Sequence, residues 1–481
     1  MPEHFDVLIV GAGLSGIGAA RQLQINCPRK TFAILEGREN LGGTWDLFRY
    51  PGIRSDSDMH TMAFSFRPWT GERSIAPGDE ILTYLKETAE EYGITDHIRY
   101  SQGVKEVRWS SANARWTVIA EAGPNHEPTI YTCSFLFMCT GYYNYEKGNT
   151  PTFPGADQFR GRIIHPQQWP QDLNYTGKQV VIIGSGATAI TLVPAMAKTA
   201  GHVTMLQRSP TYILALPGRD VLLAKLRRWM PVHWARNAAR WKNIAMNLWF
   251  YSIARKKPEK ISAAIVNGAR QRVGPDVDAA VHFTPAYKPF DQRVCIAPDG
   301  DIFESLRNGE ASIVTDTIER FTETGILLAS GKHLPADIIV TATGLKLEIL
   351  SGIAIVVDDQ PIALNRVYNY RGTMFSGVPN FALTVGYTNL PWTLKAELVS
   401  KFVCRVINYM DRHKFRSAVP RPSTDIGDRP LWDLQSGYVQ RELPNLPRQG
   451  TKTPWALRSY PHDRMNLHYG KVNDGELEFT R

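Results

Sequence analysis

Two short glycine-rich turns restrict what this chain can fold into more than any other feature. The first, Gly11-Ala12-Gly13-Leu14-Ser15-Gly16, follows the apolar run FDVLIV at residues 5–10 and precedes a helix-compatible stretch at 17–24. A short run of β-forming apolar residues without alternation describes a strand buried on both faces, as in a parallel sheet. The second, Gly184-Ser185-Gly186-Ala187-Thr188-Ala189, follows a like run at 179–183 and leads to another at 203–206. In such strand–turn–helix units the first glycine permits the tight turn and the second lets the backbone approach a pyrophosphate. The third, where alanine is tolerated, brings helix close to strand. The helix N-terminus adds unpaired N–H groups and positive dipole for the phosphate. The expectation is an α/β chain with two Rossmann-like dinucleotide-binding domains. The internal duplication is this pair of folds, with no solenoid-type short repeat.

The two copies differ where the second strand of each ends. Glu36 closes the strand read at 31–35, and a carboxylate there accepts hydrogen bonds from a ribose diol. The second copy has Gln207-Arg208-Ser209 instead. A guanidinium accommodates a 2′-phosphate, which a carboxylate repels. NADPH is therefore expected at the second turn in preference to NADH, against the plainer reading of Arg208 as an ordinary surface arginine.

Two further stretches carry chemistry. Residues 42–58, GGTWDLFRYPGIRSDSD, are too polar and irregular for core, and their Gly-Gly and Pro-Gly pairs make a loop. Residues 159–170, FRGRIIHPQQWP, lie between the two nucleotide patterns. Composition alone reads them as a turn-rich connection with Phe159 and Trp169 in small-core packing. The spacing F-x-G-x-x-x-H-x-x-x-W-P, with GG-T-W and RYPG-x-R-x-D, resembles the Baeyer–Villiger branch of the flavin-containing monooxygenases. The strings IGSGATA, QRSPTY, YKPFDQRVCIAPDG and YTNLPWTLKAELVS extend that resemblance along essentially the whole chain.

The resemblance implies a role for each matched residue. FAD would lie on Gly11, Gly13, Ser15, Gly16 and Glu36, with Thr44, Trp45 and Asp46 along the flavin and Val104 at its adenine. Arg54, Ser55 and Asp56 would face the space between flavin and nicotinamide. NADPH would take Gly184, Ser185, Gly186, Ala187, Thr188, Gln207 and Arg208. Arg293 stands at the place of the family's catalytic arginine, with Asp56 orienting it. Related enzymes often carry a lysine beside that arginine, touching the 2′-phosphate, and here the position is Gln292. The implied chemistry is reduction of FAD by NADPH, addition of molecular oxygen, and a flavin peroxide. That peroxide inserts oxygen into small ketones or oxidises sulfides or thioamides, beside a permanent cation. The 159–170 stretch would sense whether the two nucleotide folds are docked.

The organisation expected is a first FAD-binding part at 1–150, a linker at 151–175 and an NADPH-binding domain at 176–210 and 291–344. A helical lobe over the active site fills 211–290, and 345–481 returns to the FAD domain as an amphipathic helix and a C-terminal wrap with a looser end. In that helix Leu398, Val399, Phe402, Val403, Val406 and Ile407 form one apolar stripe.

Composition narrows the class. An apolar fraction of 43% and a charged fraction of 21% describe an ordinary soluble globular chain. The opening MPEHFDVLIVGAG passes directly into a strand, leaving no room for a signal peptide. Five scattered cysteines form no C-x-x-C pair, so they read as reduced, buried thiols of a cytoplasmic protein, with no structural metal and no disulfide-reductase pair. The net charge of +9 is concentrated. Residues 219–260 hold eleven Lys or Arg against two Asp or Glu, an excess equal to that of the whole chain, and four of the 12 tryptophans. A solvated helical lobe is the favoured reading, with peripheral contact at the cytoplasmic face of a membrane left open. Nucleic acid is not an expected partner, because no recognition motif accompanies the charge. A general S- or N-monooxygenase, or a flavin protein without turnover, remain the alternatives.

Overall fold

A computed structural model describes residues 2–220, 229, 231–422 and 425–481. Two separate sheets carry the two turns. In the first, Glu3–Val10 lies between Phe32–Leu35 and Glu127–Met138, all parallel, and Ile98–Arg99 extends the edge. Phe381–Leu383 returns from far along the chain to pair in parallel with Glu127–Met138. Glu127–Met138 is a twelve-residue strand. Its first half belongs to an antiparallel meander with Arg115–Ala122 and Gln102–Ser110, which makes one continuous nine-stranded sheet. Strand Ala354–Val357 follows on that side, and Gln360–Pro361 forms the edge.

The second sheet holds five parallel strands, ordered Ala311–Thr315, His202–Gln207, Gln179–Ile183, Ile338–Thr341 and Arg162–Ile164. Its last member corrects the sequence reading. Residues 162–164 fall inside the stretch expected as a turn-rich linker, yet they pair with Ile338–Thr341 as an edge strand. Three residues are too few to show a period, so only the partner strand reveals them. A three-stranded antiparallel sheet, Ile318–Thr322, Gly325–Leu328 and His333–Pro335, was also not anticipated.

The lobe expected at 211–290 is helical but opens on a strand. Ile213–Leu216 pairs in parallel with Cys295–Pro298, so the insertion leaves and re-enters the fold at one place. Between them run the helices Val232–Lys256, Pro258–Val273 and Ala279–His282. Residues 221–228 and 230 of the basic stretch lie outside the described residues.

Helix Trp392–His413 packs against Leu14–Asn26, the helix that follows the first turn. Its stripe Leu398, Val399, Phe402, Val403, Val406 and Ile407 is buried throughout, and each such side chain contributes about 1.5–3 kcal/mol. The chain end, expected to be looser, is tied down: Leu477–Thr480 pairs antiparallel with Ser417–Pro420. All five cysteines are buried.

Candidate functional site

The site is assembled where open α/β sheets place ligands, at the carboxyl ends of the parallel strands of both sheets. At the first turn Gly11 has φ +104°, and a Cβ on Gly16 would lie 1.9 Å from the Gly11 carbonyl oxygen. Only glycine lets the helix start that close. Glu36 is buried beside it, accepting the Ala12 N–H at 2.7 Å and the Arg38 N–H at 3.0 Å. Burial raises its pKa while those donors and Arg38 pull the other way. The carboxylate is therefore set in place by the fold itself. The Ser15 hydroxyl accepts the Trp392 indole N–H at 2.8 Å, which ties the first turn to the C-terminal helix.

The 42–58 loop covers this turn and then crosses to the other fold. The Gly42 N–H donates to the Ala12 carbonyl at 3.0 Å, and the Thr44 hydroxyl meets the Tyr143 hydroxyl at 2.6 Å. Trp45 is half-buried against the core of the first fold. Asp46, 2% exposed, is held by Arg38 and Arg49, each at 2.6 Å. Its charge anchors the loop. Val104 is buried at a bulge in Gln102–Ser110, whose first N–H donates to the Glu36 carbonyl at 2.8 Å. Farther along, Tyr50 is buried, which pushes its phenol pKa up to about 12, with Thr188 of the second turn pulling the other way. A Cβ on Gly52 would sit 2.7 Å from the Ala195 methyl. The RYPG segment thus lies directly on the helix Ala187–Ala197.

Arg54 and Asp56, on either side of Ser55, both reach the second fold. Arg54 pairs through both terminal nitrogens with Asp301, the longer contact at 3.3 Å. Asp56 Oδ2 accepts from Arg293 at 2.8 Å. Between them Ser55 is buried and bonded to Ala76 through its own N–H at 2.9 Å and its hydroxyl at 3.2 Å. Burial works against the Arg293 charge, yet its pKa stays above the ordinary arginine value, with the Asp56 carboxylate beside it. Its side chain is 38% exposed, and its Nε–H has no partner among the described residues. Burial pushes the Tyr142 phenol up to about 12, so it stays neutral. Tyr142 stacks on Trp392 at 5.1 Å, and with Trp432, Leu434 and Tyr438 they line a cavity beside Arg293.

The second turn is more open. Gly184 has φ +139°, the Ser185 hydroxyl bonds the Ser209 carbonyl and Thr211, and a Cβ on Gly186 would meet nothing within 4 Å. Ala187 and Arg208 are exposed, and Arg208 makes no ion pair with any described residue. Gln207, expected to touch the cofactor, is buried. Its buried amide donates to the His282 carbonyl and the Thr315 hydroxyl, both at 2.8 Å, because a buried NH₂ needs partners for both hydrogens.

The 159–170 stretch sits on the joint between the folds. A Cβ on Gly161 would lie 2.2 Å from the Asp337 carbonyl, and Phe159 meets Phe321 edge-on. Gln167 and Gln168 donate to the carbonyls of Asn144 and Glu146, both at 2.8 Å. That segment in turn runs across the return of the second fold: Asn144 N–H to Lys346 O at 2.8 Å and Asn149 N–H to Gly344 O at 3.0 Å. His165 Nδ1 accepts the Gln167 N–H at 3.2 Å, and its ring packs against Gly148. Burial lowers its pKa, with the Gly344 carbonyl pulling the other way.

Sequence reasoning missed Asp301, Tyr142 and Tyr438, and also the lobe's grip on the site. Asn243 donates to Asp58 at 2.8 Å and Arg255 to Asp291 at 2.6 Å, each two residues from Asp56 or Arg293. None belongs to a motif, so no local signal marks them.

The chain resembles known proteins over its full length. It is 52% identical to the FAD-containing monooxygenase EthA of Mycobacterium tuberculosis (strain ATCC 25618 / H37Rv), covering 100% of this chain and 99% of that protein. To a probable FAD-binding monooxygenase AlmA of an Acinetobacter species it is 47% identical, covering 100% and 97%. Among solved structures, an oxidized steroid monooxygenase bound to NADP aligns with a TM-score of 0.78 at 21% identity, over 99% of this chain and 100% of that one. An open cyclohexanone monooxygenase aligns with a TM-score of 0.77 at 20% identity, over 100% of both. These structures share the fold of two Rossmann-like folds with a helical insertion. A family model described as flavin-binding monooxygenase-like matches residues 6–221, and with relatives so similar from end to end the chain belongs to that family.

Proposed function

We propose that this chain is an FAD-containing monooxygenase, dependent on NADPH and oxygen, that converts ketones to esters or lactones and also oxidises sulfides or thioamides. The observation that carries the reading is the Arg293–Asp56 pair, made across the two nucleotide folds at 2.8 Å beside an aromatic cavity. The residues present fit both cofactors: the first turn brings a buried Glu36 to a ribose position, and the second leaves Gly186 uncovered and Arg208 free for a phosphate. When bound, flavin and nicotinamide supply the reducing electrons and the activated oxygen.

The chain's own residues do the rest. Arg293 is a cation at every working pH and offers its unpartnered Nε–H toward negative charge developing at the junction. Asp56 fixes the guanidinium from the opposite fold, so the pair exists only when the folds are docked. Arg54, held by Asp301, borders the same junction. Thr44 and Trp45 line the first fold's loop, and Ser185 and Thr188 shape the second turn. Tyr142 and Trp392 wall the cavity and exclude water from it. The substrate class is a small apolar ketone or sulfide. The placement is cytoplasmic, with a membrane face within reach of the lobe.

The test is product identification. Purified enzyme with FAD, NADPH and oxygen is offered linear ketones, cyclic ketones, thioethers and thioamides. Esters or lactones are expected. Arg293→Ala should keep its FAD and lose at least about 10²–10³ in the rate of oxygenated product. Its residual NADPH oxidation should release hydrogen peroxide. Near wild-type ester formation by this variant removes Arg293 from the mechanism. Sulfoxide without any ester from the wild type would make the chain a general S-monooxygenase, and no substrate-stimulated NADPH consumption would make it a protein without turnover.

A further inference from the structure

We propose that the outward face of helix Val232–Lys256 is a docking surface for the interface of an anionic phospholipid bilayer. A helix packed on a fold along one side is normally polar along the other. This one buries Ala235, Ala239, Arg240, Ile244 and Ala254, and points three tryptophans the opposite way. Trp234, Trp241 and Trp249 are 63%, 44% and 64% exposed. Their spacing of seven and eight residues puts them within an arc of roughly 80°, and they run along about 22 Å of helix. Ala238 and Ala245 fill the gaps, so no charged side chain interrupts the row.

The patch continues onto a second element. Arg464 lies 4.4 Å over the Trp241 ring, and the exposed Met465 and Tyr469 follow it on the C-terminal turn. Tryptophan and tyrosine suit the headgroup region, where one part of the ring meets hydrocarbon and the other water. The rim supplies the charge. Lys256, Lys257 and Lys260 are exposed at the C-terminal end of the row and make no ion pair with any described residue. An anionic lipid surface complements this basic rim. No helix among the described residues is long and apolar enough to cross a membrane, so the contact is peripheral. Not all of the basic stretch belongs to the surface. Arg219, Lys242 and Arg255 are already paired with Glu72, Asp220 and Asp291 and add little to it.

The inference is independent of which substrate the enzyme takes. Its test is flotation of the full chain with vesicles of phosphatidylcholine, with and without a minority of phosphatidylglycerol. The wild type should float with the anionic vesicles, with a blue shift of tryptophan emission, and release as salt rises. The triple variant Trp234→Ser, Trp241→Ser, Trp249→Ser should partition at least about tenfold less while oxidising NADPH at the wild-type rate in solution. Should it lose its flavin, the pair Trp234→Ser and Trp249→Ser leaves the Trp241–Arg464 contact and makes the same comparison. A wild type that does not float at low salt overturns the proposal, as does a tryptophan variant that floats equally well. Self-association that the variant abolishes, without flotation, assigns the face to a second copy.

Discussion

The two glycine turns share a pattern and differ in finish. At the first, a Cβ on Gly13 would lie 3.5 Å from Gly43, because the 42–58 loop folds over the turn, and the Glu36 carboxylate is already engaged on both oxygens. At the second, a Cβ on Gly186 meets nothing, and Arg208 stands exposed. The first turn is enclosed by the chain's own loop, and the second borders open space. That contrast suits one nucleotide kept through many turnovers and another exchanged in each.

The largest way to break the contrast is at the glycines themselves. Gly16→Ala forces a methyl to 1.9 Å from a backbone oxygen that cannot swing aside. Overpacking costs typically 1–3 kcal/mol, and here the upper end or more is expected. Purified Gly16→Ala should lack most of its FAD and melt well below the wild type. Gly186 has φ −79° and open space, so Gly186→Ala should change stability by less than about 0.5 kcal/mol. Its FAD content should be normal. Equal behaviour of the two variants in FAD absorbance and thermal melting would show that the turns are built alike after all.

Arg208→Ala tests the open turn more gently. A charge-assisted contact to phosphate contributes about 1.5–3 kcal/mol, so the KM for NADPH should rise by about tenfold or more. The KM for NADH should stay nearly unchanged. An equal rise for both cofactors would show that Arg208 does not read the 2′-phosphate. Gln207, whose amide is spent on His282 and Thr315, makes this test sharper.

What the sequence made legible follows the range of each signal. The turns, the buried parallel strands and the stripe of Trp392–His413 are local patterns enforced by burial, and they were readable to within a few residues. Strand Arg162–Ile164 was not, because three residues become a strand only by pairing with Ile338–Thr341. Asp301 was invisible for a related reason. Its partner, Arg54, lies 247 positions away, and a lone aspartate at a helix start has many uses. Asp56 and Arg293 were found through family strings, and nothing in local periodicity would have joined them. Gln207 and Arg208 were given one role, yet strand alternation turns them to opposite faces, and the Gln207 amide is buried on His282 and Thr315.

The smallest effect concerns the joint where the two unequal folds meet. His165 rests there, with Nδ1 accepting the Gln167 N–H, so its neutral form carries the ring proton on Nε2. That atom is buried without a hydrogen-bond partner among the described residues. Burial places the folded pKa below the ordinary 6.5, so between those two values the unfolded chain binds more protons than the folded one. Stability from a neutral His165 is therefore full above pH 6.5 and lost as pH falls from there through the folded value. Other histidines, His60 and His282 among them, shift in the same direction, so the wild-type slope alone does not isolate the joint. The difference between wild type and His165→Gln does. Urea unfolding between about pH 8 and pH 5.5 should show the variant less stable at the alkaline end, with the gap closing as the solution is acidified. The change in slope cannot exceed one proton per molecule. The ratio of oxygenated product to NADPH consumed should also fall in the variant at neutral pH, because the joint sets how Asp56 meets Arg293. Parallel stability curves would mean that the Gly344 carbonyl accepts the ring proton well enough for the imidazolium to be held there.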